Sequence, residues 1–288
     1  DLNFGILFNN TFIYDDLSVF AKIFILICTI ACLLISQDYF ENKKLNSFEY
    51  YLLVLLAVLG LLILVSSYDL ILAYLAIELQ SLSFYVLATF KRDSAYSTEA
   101  GLKYFVLGAF ASGLILFGSS LIYGFTGTTN FEHLANLFLD KSQLFEHGTN
   151  AFEISIAFLA VGFLFKLAAA PFHMWSPDVY EGAPTNSTAL FAIVPKLAIF
   201  VLFIRLFHFS FYNLISCWQQ IILFSAILSV IVGSFIALKQ RKIKRLIAYS
   251  AISHVGYLLL AFAIGSLEGT QALFFYLIVY MLTGICVW

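Results

Sequence analysis

Nine stretches of this chain are apolar enough and long enough to cross a lipid bilayer as helices: residues 18–36, 49–67, 69–90, 102–125, 152–174, 185–207, 217–238, 244–265 and 269–288. About 20 apolar residues span the hydrocarbon core. In that core a backbone must satisfy its own polar groups, so this pattern dictates an all-α polytopic membrane bundle. Composition agrees, with 62% hydrophobic and 11% charged residues, against about 25% charged in a soluble domain. The joining segments are short and polar, so residues 1–288 read as a single transmembrane domain. The longest connection, 126–151, has an amphipathic middle and reads as a surface helix. The net charge of −2 gives no reason to expect a nucleic-acid partner. Residue 1 is aspartate, so the natural start is expected to be missing or processed, and the mixed polar and aromatic opening does not read as a signal peptide. The abundance of Phe, Tyr, Ile, Asn and Lys points to AT-rich codons and hence to an organellar or AT-rich genome.

If the nine segments alternate, one side receives Lys43, Lys44, Lys91, Arg92, Lys103, Lys239, Arg241, Lys242, Lys244 and Arg245. The other receives Lys141, with Lys22 and Arg205 near helix ends. By the positive-inside rule the run 239–245 faces the matrix or cytoplasm and the N-terminus lies outside. The run itself reads as a topology anchor or, alternatively, as a contact for lipid headgroups or a partner subunit.

Against this apolar background a few ionisable residues stand out. Glu78, Lys166 and Lys196 each lie near the middle of a segment. A charge at the bilayer centre costs about 2.5–3.5 kcal/mol on insertion scales, and such residues mark ion or proton pathways. Snorkelling is the bland alternative. At about 15 Å from either helix end by helical rise, the lysine stems cannot reach the interface. Pro171 follows Lys166 by five residues and its ring crowds the carbonyl of Leu167, so a helix break is predicted just after the lysine. Broken helices persist at membrane depth where they line a cavity or are buried in protein, and transporters build ion sites on them. Pro195 immediately precedes Lys196 and frees the carbonyl of Phe191, which predicts a second break. Glu78 is expected to pair with Lys166. His254, flanked by Tyr249, Ser250, Ser253 and Tyr257, reads either as a proton relay or as a hydrogen-bonded packing residue. Glu99 and Lys103 read as a proton entry or a simple anchor.

Other chemistry finds little support. Cys28, Cys32, Cys217 and Cys286 sit in apolar segments and read as packed hydrophobes rather than metal ligands or disulfides. His173, Asp178 and Glu181 lack a ligand spacing that would make a metal site. There is no dinucleotide fingerprint, P-loop, iron–sulfur cysteine set or HExxH pattern. No cofactor is expected on this chain, and the energy for transport has to come from a partner or an ion gradient.

The segments FKLAAAPFHMWSPDVYEGAPT (Phe165–Thr185), LAIELQSLSFYVLA around Glu78, EAGLKYFVLGAFASG from Glu99 and KRLIAYSAISHVGY from Lys244 together resemble the antiporter-like membrane-arm subunits of respiratory complex I, best the subunit 2 group of mitochondria. The resemblance covers about residues 15–288. It implies two inverted five-helix repeats, the first at about 49–207 and a partial second at about 217–288. It implies proton translocation through Glu78, Lys166, Lys196 and His254, driven by redox chemistry elsewhere. NADH, FMN, iron–sulfur clusters and ubiquinone would belong to the complex as a whole, in the mitochondrial inner membrane. Implied partners are the other membrane-arm subunits and lipids. The resemblance also implies two or three helices before this sequence and about three after it, including a second broken helix; the later ones are expected on a second polypeptide of a split gene, the alternative being that the half-channel on that side is lost.

The mechanism expected from these residues is proton exchange between Lys196 and Lys166 through water near Pro171, with Glu78 tuning Lys166. Two unit charges about 6 Å apart interact by roughly 3 kcal/mol at an effective dielectric of 20. Moving a proton against about 100 mV costs roughly 2.3 kcal/mol, so the coupling is of the right size. The alternatives are a cation/proton antiporter subunit and a structural membrane-arm subunit that no longer pumps.

Overall fold

The computed structural model describes residues 5–43, 48–139 and 149–288, with the side chains of 37–43 and 149–150 excepted. The expected positions of Lys44 and Lys141 lie outside the described residues. A short antiparallel pair, β1 (Gly5–Leu7) and β2 (Phe12–Tyr14), precedes the helices. There follow α1 (Asp16–Lys43), α2 (Phe48–Val65), α3 (Leu70–Ala88), α4 (Ala95–Thr126), α5 (Phe131–Leu139), α6 (Thr149–Lys166), α7 (Trp175–Gly182), α8 (Thr185–Phe203, extended by a π-helical turn Ile204–Ser210), α9 (Ile215–Ala237), α10 (Ile243–Ala263) and α11 (Leu267–Val287). Eight of these are long and apolar enough to cross a membrane. α6 is 18 residues long and equally apolar in character, and stands in the place of a ninth. The all-α polytopic architecture is therefore the one the apolar segments predict.

The start of α4 differs from the sequence reading. α4 begins at Ala95, not near 102, because the polar stretch AYSTEAG continues the helix. At 32 residues it is about 48 Å long, well beyond the hydrocarbon thickness, so Glu99 and Lys103 lie on the overhang. The surface helix expected in 126–151 is present as α5, which buries Phe131, Leu134 and Phe138 on one face.

α8 is the axis of the bundle: 94% of its membrane window is buried, and it touches α1, α2, α3 and α11. Around it α2 packs on α3, α4 on α6, and α9 on α10. Two of these pairs depend on glycine for close approach. A Cβ at Gly60 would meet the Gln80 amide nitrogen at 2.8 Å, and one at Gly233 would meet that of Ser253 at 2.6 Å.

At the end bearing the 239–245 run, α4, α7 and α10 are joined by ion pairs. Lys103 contacts Glu99 at 2.8 Å and Asp178 at 2.9 Å. Arg245 contacts Asp178 at 2.5 Å and Glu181 at 3.2 Å, and Lys242 also pairs with Glu181. Lys244 donates to the carbonyl of Ala183. Part of the basic run therefore clamps the chain to itself. At the other end Arg205 is buried, donating to Asp15 at 2.6 Å and to the Val65 carbonyl at 3.1 Å. Burial alone would raise the Asp15 carboxyl. The Arg205 guanidinium and two Ser18 hydrogen bonds outweigh it and hold the group below the usual carboxylate range.

Candidate functional site

Lys166 is the last residue of α6. The helix ends there in a Schellman arrangement: Ala168 is left-handed at φ 59°, its N–H reaches Phe165 O, and the Ala169 N–H reaches Leu164 O. The termination is thus completed three residues before Pro171. The helix therefore ends just after Lys166, where the sequence predicts the break, and the Schellman turn is the form that the ending takes.

The freed backbone beyond Lys166 is not left bare. Ser229 Oγ of α9 accepts the Ala170 N–H at 2.7 Å, Ser225 Oγ donates to the Ala170 carbonyl at 2.6 Å, and Trp175 Nε1 donates to the Phe165 carbonyl at 2.9 Å. Buried backbone groups without partners are costly. Two serines one helical turn apart on α9 and one indole therefore hold the broken segment at depth.

The ammonium of Lys166 donates to Ser81 Oγ of α3 at 3.0 Å and to Ser112 Oγ of α4 at 2.9 Å, with Tyr85 OH at 3.4 Å. The expected pairing with Glu78 does not occur. Among the described residues Lys166 has no carboxylate within salt-bridge distance, and Glu78 Oε1 is buried with no hydrogen-bond partner. The reason is spatial. Ser81 and Tyr85 stand one and two turns further along α3, and they occupy the ammonium's donor directions together with Ser112.

Lys196 lies 11 residues into α8, about 17 Å from its start, and is only 5% exposed. α8 runs through Pro195 without interruption, which corrects the second predicted break. One missing N–H removes a single hydrogen bond, and packing on every side of this helix keeps it straight enough to continue. Lys196 Nζ donates to Tyr280 OH of α11 at 2.5 Å and sits 4.2 Å from the centre of the same ring.

The two lysines share one small cavity of about 20 Å³. Gln80, Ser81, Tyr104, Gly108, Trp175 and Tyr180 are among the other lining residues. That volume suits one water molecule, and Gln80 Oε1 on its wall is buried with no protein partner. Glu78 does not line it, and nor does His254. His254 instead meets Tyr276 OH at 2.7 Å and stands beside the Tyr280 ring, at a separate groove.

Of the residues singled out from the sequence, the structure brings Lys166 and Lys196 to one cavity and leaves Glu78 and His254 outside it; Ser81, Ser112, Tyr280, Ser225 and Ser229 were not singled out. A serine pair at i, i+4 inside the apolar run of α9 was the one available signal. Asp178 and Glu181 are engaged by Lys103, Lys242 and Arg245.

Residues 67–288 match the family described as NADH:quinone oxidoreductase/Mrp antiporter, transmembrane. The chain is 52% identical over 274 residues to "NADH-ubiquinone oxidoreductase chain 2" of Marchantia polymorpha, covering 95% of this chain and 56% of that protein. It is 47% identical over 278 residues to "NADH-quinone oxidoreductase subunit N" of Paramagnetospirillum magneticum, covering 96% and 57%. Among solved structures, a chain of respiratory complex I from Thermus thermophilus superposes with a TM-score of 0.79 at 34% identity, covering 96% of this chain and 57% of that one. A chain of the Mrp complex from Dietzia shares the fold, with a TM-score of 0.82 at 24% identity. This chain spans a little over half the length of the curated relatives it matches. It belongs to the NADH:quinone oxidoreductase/Mrp antiporter membrane family.

Proposed function

We propose that this chain is a proton-translocating membrane-arm subunit of an NADH:quinone oxidoreductase. The observation that carries the reading is the cavity shared by Lys166 and Lys196 at mid-bundle, between a broken helix and the most buried one. Lysine suits such a relay because its charge can be switched by its surroundings, whereas arginine stays protonated. Lys166, cradled by two serine hydroxyls and no carboxylate, can exchange its proton without first breaking an ion pair. A water between the lysines would carry the proton from one to the other. Glu78 acts on this pair through space rather than by contact.

The relatives' names support a place beside the other membrane-arm subunits and the lipids around them. NADH, FMN, the iron–sulfur clusters and ubiquinone would be bound by other subunits, and this chain would supply no redox group. A mitochondrial inner membrane, with the 239–245 run on the matrix side, fits the plant relatives and the asymmetry of basic residues. The two-repeat division at about 49–207 and 217–288 belongs to the same proposal. So does a second polypeptide carrying the part of the relatives' length that lies outside the match.

The test is gentle solubilisation of the native membrane, native-gel separation and mass spectrometry of the NADH-oxidising band. Peptides of this chain in that band are expected. Migration without NADH oxidation, together with sodium- or potassium-dependent proton exchange, would put the antiporter alternative in its place.

A further inference from the structure

Lys196 is buried, facing the cavity shared with Lys166 and, through its ammonium, Tyr280. Its ammonium meets the hydroxyl of Tyr280 at 2.5 Å, and that hydroxyl in turn donates to the Ala192 carbonyl of α8 at 3.2 Å. On the far side of Tyr280 lies a groove of about 220 Å³ between α8, α10 and α11. Tyr280 lines this groove with Ser250, His254 and Thr283, while Trp288 stands at its other end. Ser250 and His254 come from α10, and Tyr280 and Thr283 from α11. The groove is lined mostly by apolar side chains, Ile193, Leu246, Ile247 and Val287 among them, and its polar groups, Ser250, His254, Tyr280 and Thr283, are the ones that could hold water along it. It runs from mid-bundle toward the end bearing the 239–245 run, because α10 begins there and α11 finishes there. The cavity shared with Lys166 does not include Tyr280, and the groove does not include Lys196. One phenol hydroxyl therefore stands between the lysine at the cavity and the groove that holds His254.

We infer that the Tyr280 hydroxyl passes protons between Lys196 and the His254 groove. The inference rests on the proton-translocating reading above and adds the residue through which the buried lysine reaches a polar route out. The step is balanced as follows. The Tyr280 oxygen accepts a proton from the Lys196 ammonium, leaving a neutral amine. In the same concerted step the oxygen gives up its own proton, which has first turned about the C–O bond away from Ala192 O, to groove water, with His254 as an acceptor on the wall. The phenol is neutral before and after, and no electrons move. Tyr280 suits this role because an ether-like oxygen with one proton is donor and acceptor at once. Its ring is also held firmly, with the whole residue 9% exposed.

The experiment uses the assembled membrane complex. Tyr280→Phe keeps the ring beside Lys196 and deletes only the hydroxyl. Lys196→Met is made in parallel. Proton uptake per NADH oxidised is measured in sealed vesicles, and assembly is followed on native gels. The expected result is normal assembly with transport slowed roughly ten-fold or more in both variants. Normal transport in Tyr280→Phe, with transport lost in Lys196→Met, overturns the inference and leaves the proposed function standing. Normal transport in both overturns the proposed function as well. If the phenylalanine variant fails to assemble, 3-fluorotyrosine at position 280 replaces it. Its more acidic hydroxyl is expected to move the pH profile of transport, and an unmoved profile overturns the inference.

Discussion

Lys166 and Ser112 are 2.9 Å apart across the α6–α4 interface, and Ser81 completes the cradle from α3 at 3.0 Å. The part-buried ammonium is thus held by neutral hydroxyls rather than by the carboxylate of Glu78. Among the described residues three neutral oxygens and no carboxylate surround it, and the proposed proton exchange rests on that arrangement.

The first prediction concerns that cradle. Hydrogen bonds to charged groups contribute about 1.5–3 kcal/mol each. Ser81→Ala with Ser112→Ala is expected to slow proton transport roughly ten-fold or more. Glu78→Gln, which removes no contact to Lys166, is expected to cost less. Proton uptake per NADH in vesicles, beside assembly on native gels, checks both.

The second concerns Ala168. A left-handed conformation costs an L-residue roughly 1–2 kcal/mol relative to glycine. Ala168→Gly relieves that cost but loses a buried methyl worth about 0.8 kcal/mol, so stability should change little. Ala168→Val puts a β-branched side chain at the same φ, and a loss of about 1–3 kcal/mol is expected. Thermal denaturation of the purified complex in detergent separates the two.

The third concerns Asp15 and Arg205. The Asp15 carboxyl lies below its usual range in the folded chain, so its contribution is present above the unfolded value near 4 and is lost as pH falls through the folded one. The stability advantage of the natural chain over Asp15→Asn should be constant at neutral pH and shrink below about pH 4. Arg205→Met, which strands a half-buried carboxylate, is expected to cost roughly 1–3 kcal/mol at neutral pH. Melting temperatures across a pH series give both answers.

The fourth concerns the α4–α7–α10 clamp. Asp178→Asn removes the shared partner of Lys103 and Arg245. These groups are partly exposed, so the loss in melting temperature should be small and should fade as salt is raised. A loss independent of salt would mean that the network acts through packing instead.

Much of the fold was legible because a bilayer leaves a chain few choices. Apolar runs of the right length gave the helices, and charges inside them marked Lys166, Lys196 and His254. Partner choice was not legible. Ser81 and Ser112 lie 85 and 54 positions from Lys166, and only the packing of α3, α4 and α6 brings them together. The Glu78 pairing failed for the same reason: opposite charges at similar depth need not face each other. Pro195 misled because proline's effect depends on what surrounds the helix, and α8 is enclosed. Tyr280 was one of 16 tyrosines with nothing local to distinguish it. The role inferred for it rests on its bond to Lys196 and its place on the wall of the His254 groove. The hairpin of β1 and β2 was hidden by the same mixed polar and aromatic character that set residues 5–14 apart from the membrane segments.

The most direct measurement is proton transport by the complex carrying Lys166→Arg. Arginine keeps the charge but does not release its proton in proteins. The account predicts an assembled complex that oxidises NADH and moves markedly fewer protons per NADH. Unchanged proton transport in that variant would contradict it.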